Sequence, residues 1–215
     1  MMNRKHFAIT VGIALIAQLA VIGSIIMAWE KVVTKGTVCR FECTGYDPSD
    51  PFRGRYVMIT VVAKCDQICT NNFAADIGWW HPLAIKVVPG ENANELAKIA
   101  MVKKKADNDG GLWLNNIPVR ISHSLSWSDR LKDEAYEAFE ARQEASPKIA
   151  DVKLPNQFFM NEKLAPEAEN LLRRKDAKRI AVYRVYNGKI VLTDIEIDGQ
   201  SISKLALKTL LNNNR

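Results

Sequence analysis

The stretch "AKRIAVYRVYNGKIVLTDIEIDGQSI", residues 177–202, decides the fold. Ile180, Val182, Arg184 and Tyr186 alternate with Ala181, Tyr183 and Val185, which is the period of a β-strand. Asn187-Gly188 suits a type I′ turn, because both central residues of that turn need positive φ. The returning strand reaches Ile197, Asp198-Gly199 marks a second turn, and "SKLALKTLL" predicts a short terminal helix.

Upstream, "LAPEAENLLRRKD" (164–176) predicts a helix with Pro166 in its first turn, where a missing N–H costs nothing. "SPKIADVKLPNQFFM" (146–160) predicts extended chain. "SDRLKDEAYEAFEARQEA" (128–145) predicts a helix capped by Ser126 or Ser128, with Leu131, Ala135, Ala138 and Phe139 as its apolar stripe. Leu83, Ile85 and Val87 alternate, "PGENAN" supplies turn residues, and Leu96 to Val102 alternate back, so a hairpin is expected there rather than a helix over 93–104. "KKKADNDGG" (103–111) predicts a loop, followed by a short apolar segment at "LWLNNIPVRI". The fold class expected is α+β, a β-rich domain of antiparallel hairpins with two or three helices.

The chain's 215 residues are 47% hydrophobic and 25% charged, as in ordinary globular proteins. Much of the apolar content lies in one uncharged run, Phe7 to Ala28. At about 1.5 Å per residue it reaches roughly 33 Å, enough to cross a hydrocarbon core of about 30 Å. It exceeds a cleaved leader's apolar region, and Ile26 stands where a cleavage site wants a small residue. The organisation expected is a short cytoplasmic tail (1–6), a transmembrane anchor (7–29) and an extracytoplasmic domain (30–215). The protein is then a single-pass protein of the inner (plasma) membrane, in contact with the lipid bilayer through residues 7–28. Trp29 suits an interfacial aromatic position.

The formal net charge is +6, and the densest basic cluster is "RRKDAKR", Arg173 to Arg179. It reads as a solvated helix end, because cations suit a helix C-terminus and no nucleic-acid motif accompanies it. Nucleic acid is therefore not an expected partner. His6, His81 and His123 form no set with other ligand types, no GxSxG, HExxH or P-loop pattern occurs, and Glu134, Glu137 and Glu140 read as solvated charge. No catalytic set and no cofactor are expected.

The cysteines fall as "CRFEC" (Cys39, Cys43) and "CDQIC" (Cys65, Cys69). Two disulfides, a four-thiolate metal site, and redox or copper chemistry of the CxxxC kind are the three readings. On a strand, Cys39 and Cys43 share a face about 13 Å apart, too far to bridge each other. One antiparallel register, centred on Gly54, sets Cys39 opposite Cys69 and Cys43 opposite Cys65. An exported location favours these two disulfides over metal.

With strands placed, "DPSDPFRGRYVMITV" (47–61) resembles the GDYXXLXY family of bacterial membrane-anchored proteins. The positions that match are Asp50, Pro51, Arg53, Gly54 and Tyr56, while Arg55, Ile59 and Val61 replace the family's Asp, Leu and Tyr. "FFMNEKLAPEAE" (158–169) is similar to the family's aromatic pair, acid and helix, and the closing hairpin looks like its end. The helix at 128–145 looks like an insertion. The resemblance implies a membrane-anchored, extracytoplasmic β-rich domain with no catalytic residues to transfer. The function expected is binding to, or support of, an integral membrane protein partner in the envelope. The alternative is a thiol-redox or copper/zinc-handling protein using the two CxxxC pairs.

Overall fold

In the computed structural model of the protein, the structure describes residues 4–45, 56–61, 63–65, 78–92, 95–123, 130–131, 135–145, 148–174 and 176–213. The chain begins with helix α1, Arg4–Lys35. Between Val11 and Met27 its large apolar side chains stand exposed, Ile16 by 69% and Leu19 by 68%. One helix, Val11–Lys35, is therefore long and apolar enough to cross a membrane. Its last turns differ, because Val32 is fully buried and its carbonyl accepts a 3.0 Å hydrogen bond from the Gly36 amide.

Eleven strands follow within the described residues. In chain order they are β1 (Thr37–Gly45), β2 (Tyr56–Val61), β3 (Lys64–Cys65), β4 (Trp80–Val88), β5 (Lys98–Lys103), β6 (Leu112–His123), β7 (Lys148–Val152), β8 (Gln157–Phe159), β9 (Arg179–Tyr186), β10 (Lys189–Ile197) and β11 (Gln200–Ser201). Among them lie helices α2 (Tyr136–Ala145), α3 (Ala165–Leu172) and, at the end, α4 (Ile202–Asn213). One sheet has the order β11-β10-β9-β1-β2-β8 and the other β3-β7-β6-β4-β5. Every strand pairing in both is antiparallel. The class is α+β, as expected.

The closing hairpin forms as read, with Tyr186 facing Lys189 around Asn187 (φ 47°) and Gly188 (φ 75°). Asp198 (φ 51°) and Gly199 (φ 79°) turn β10 into β11 in the same way. The β4–β5 hairpin and the extended chain at β7 and β8 also form where the alternation places them. Pro166 lies in the first turn of α3, whose Ala168, Leu171 and Leu172 are buried. In contrast, Arg130, Leu131 and Ala135 lie outside the second helix, which starts at Tyr136. Leu131 is 67% exposed, Ala135 and Ala138 are exposed, and of the expected stripe Phe139 is buried, while residues 128, 129 and 132–134 lie outside the described residues. Ser126 and Ser128 lie outside the described residues.

A single core joins the inward faces of both sheets. It includes Phe41 of β1, Ile59 of β2, Ile85 of β4, Ile121 of β6, Tyr183 of β9 and Ile195 of β10. Each such apolar side chain contributes roughly 1.5–3 kcal/mol on leaving water. The Tyr183 ring meets Phe41 edge-on, at 5.9 Å between centroids, and its hydroxyl donates to the Pro155 carbonyl at 2.6 Å.

The predicted cysteine register is corrected. β1 and β2 do pair antiparallel, but Cys43 faces Val61 and not Cys65, a slip of four residues. Cys65 belongs to β3, which pairs with β7 in the other sheet. Cys39 faces Tyr183 of β9, because β1 pairs with β9 along its first six residues and with β2 only at its end. Cys39 and Cys43 carry free thiols, so neither predicted disulfide is formed; Cys69 lies outside the described residues. Equal spacing within the two cysteine pairs let one register fit both couples, but the second sheet takes Cys65 away.

Candidate functional site

The matched motif residues Asp50, Pro51, Arg53 and Gly54 lie outside the described residues, and Tyr56 opens β2. The Tyr56 ring packs beside Phe159 of β8, at 5.8 Å between centroids and a tilt of 53°. This strand alternates, so Val57 and Ile59 enter the core while Thr60 stays outside. Beyond Ile59 the strand runs along an open cleft between the two sheets, where β2 gives way to β3.

Ile59 and Leu154 line the depth of this cleft, while Trp80 and Asp151 stand at its side. Backbone bonds hold both walls. Ile59 N–H donates to the Asn156 carbonyl at 3.0 Å, and Val152 N–H to the Ala63 carbonyl at 3.1 Å. Asp151 accepts from Arg120 Nη2 at 2.9 Å, and the Arg120 guanidinium lies 5.3 Å from the Trp80 ring centre. Trp80 is 46% exposed and its neighbour Trp79 is 76% exposed. Exposed tryptophans are enriched at binding surfaces because they offer large area with few rotors. The cleft therefore suits recognition of an apolar or aromatic side chain beside a planar cation.

The described cysteines are not part of it. Cys39, Cys43 and Cys65 are buried in the core. Burial pushes the Cys39 thiol up to about 11. Burial also pushes Cys43 up to about 12, with Glu42 adding and Arg179 opposing. A protonated, buried thiol acts as a small apolar group, whereas a nucleophile or metal ligand needs the thiolate. Among the described residues no group of three or more His, Cys, Asp or Glu side chains could hold a metal ion.

A second polar cluster has a structural part. Asp109 accepts from Lys86 Nζ at 2.5 Å, Trp113 Nε1 at 2.8 Å and the Gly111 amide at 2.9 Å, which ties the 103–111 loop to β4 and β6. Those donors, Lys86 foremost, hold its carboxyl below the usual range.

Sequence reasoning missed Trp80, Arg120 and Asp151, which come from β4, β6 and β7 and meet only in the folded sheet. The available signal was the Trp79-Trp80 pair in "DIGWWHPL", because neighbours at the start of a strand cannot both face the core.

No curated protein and no solved structure matches the chain. A family model described as GDYXXLXY protein matches residues 18–195. The match takes in most of α1, the motif strand, every wall of the cleft and the closing hairpin as far as Ile195. The chain belongs to the GDYXXLXY protein family.

Proposed function

We propose that this protein is a single-pass inner-membrane protein whose β-rich part, residues 30–215, lies outside the cytoplasm and binds an integral membrane partner. The observation that carries the reading is the junction. α1 continues without a break from its bare apolar stretch into last turns that lie beside β9 and β10 and bury Val32, and only Gly36 separates it from β1. A leader removed by cleavage after Ala28 would take Met27 and Ala28 away from the β9–β10 turn they adjoin, so the junction favours an anchor that is retained. The cleft beside Trp80 then supplies a recognition surface on the β-rich part, and no nucleophile–base pair lies among its lining residues to suggest catalysis. Thiol-redox and metal-handling roles gain no support from Cys39 and Cys43, whose thiols are buried and protonated.

The test is affinity purification from crosslinked membranes, with the wild type and Trp80→Ala at equal abundance. Recovery of one integral membrane protein with the wild type, falling about tenfold with Trp80→Ala, is expected, which corresponds to loss of one aromatic anchor. Recovery of no membrane protein, or of copper or zinc in stoichiometric amount with the purified chain, overturns the reading.

A further inference from the structure

We propose that the β9–β10 turn lies in the lipid headgroup layer and, with Lys31, holds an anionic phospholipid against the end of α1. The proposal rests on α1 being a retained anchor, and it adds a second, ionic contact with the bilayer. A groove runs between α1 and this turn, lined by Met27, Ala28, Lys31, Val32, Tyr186 and Lys189. Met27, Ala28 and Lys31 share one face of α1 by their three- and four-residue spacing, and Lys35 continues it. Glu30 is not among the lining residues, and no carboxylate is. The two charges that line the groove are therefore both positive, and its remaining walls are mainly apolar.

Depth follows from length. About 20 helical residues cross the hydrocarbon core, so a span that starts near Phe7 ends near Ala28. The groove lies at that level. Met27 and Ala28 face the outermost acyl segments, while Lys31 and Lys189 face the phosphates. Lys189 Nζ is 5.0 Å from the ring centre of Trp29, which sets a cation and an aromatic side by side, as at membrane–water boundaries. Arg184 Nη1 donates to the Gly36 carbonyl at 3.3 Å and fixes β9 to the base of α1. A phosphate between two lysines, with its acyl chains along a helix bare toward lipid, satisfies both halves of the groove.

The experiment places p-benzoylphenylalanine in place of Tyr186, an aromatic for an exposed aromatic, in the full chain. Matched chains carry it at Gln200, at the far end of β10, or at Ile22 on bare α1. Each is reconstituted in nanodiscs of phosphatidylcholine alone or with phosphatidylglycerol, irradiated, and its lipid adducts are measured by mass spectrometry. Position 186 is expected to give adducts well above position 200, with phosphatidylglycerol preferred. Lys189→Gln is expected to reduce that preference about fivefold, equivalent to the ~1 kcal/mol of one lysine at an anionic surface. Equal yields at 186 and 200, with adducts at position 22, overturn the proposal and leave the anchor standing. Yields at 186 that do not depend on the headgroup overturn the anionic assignment. An absence of adducts at position 22 removes the anchor and the proposal together.

Discussion

At Cys43 the removal of a thiolate from water holds the proton on sulfur to about 12, against 9.0 for a solvated thiol. Cys39 follows to about 11. Below pH 9 both thiols are protonated in the folded and the unfolded chain. As pH rises from 9 toward 11 or 12, the unfolded chain loses protons that the folded chain retains, so stability falls with pH in that window. Tyr183 is shifted upward by burial as well, and adds the same sign above pH 10. The thermal midpoint is therefore expected to decline from pH 9 to 11, and Cys43→Ala is expected to flatten that decline. A slope unchanged in Cys43→Ala means that this thiol is solvated. Burial of these cysteines was not legible in "CRFEC" and "CDQIC", where spacing alone leaves bridging, metal binding and packing equally satisfied. What decides is the second sheet, which takes Cys65 into pairing with Ala150.

Elements closed by local chemistry were the legible ones. Asn187-Gly188 and Asp198-Gly199 each require positive φ from residues that tolerate it, and both turns form. They differ in their surroundings. A Cβ on Gly188 would lie 2.8 Å from Asn115 Nδ2, whereas one on Gly199 meets nothing within 4 Å. Gly199→Ala is expected to lower stability by about 1–2 kcal/mol, the left-handed penalty alone. Gly188→Ala is expected to cost more, because Asn115 must also shift, and that residue sits where β6 bulges opposite β4. Chemical denaturation of the two variants gives the comparison, and equal losses would mean that Asn115 yields freely. The cleft was illegible for the opposite reason. Trp80, Arg120 and Asp151 are brought together by ladders between β4, β6 and β7, and no local pattern announces which outward residues of three strands will adjoin. The β1–β2 register failed likewise, being set by what the rest of the core covers.

For the whole molecule, the expected orientation is tested by fusion. Alkaline phosphatase joined after Arg215 is expected to be active, and a reporter that works only in the cytoplasm is expected to be silent there. The reverse pair of results places residues 30–215 in the cytoplasm. The single residue between α1 and β1 carries the last consequence. One residue spans at most about 3.6 Å, whereas a flexible tether of twenty would let the attached mass wander by roughly 25 Å. A Cβ at Gly36 would fall 2.3 Å from the Val32 carbonyl oxygen, so even this short connection is locked against its neighbours. Such a joint has almost no swing. With α1 in a bilayer, the attached mass drifts sideways with it and turns as it turns. Its search is confined to a plane, so the targets it meets most often are those carried in, or pressed onto, the same sheet of lipid.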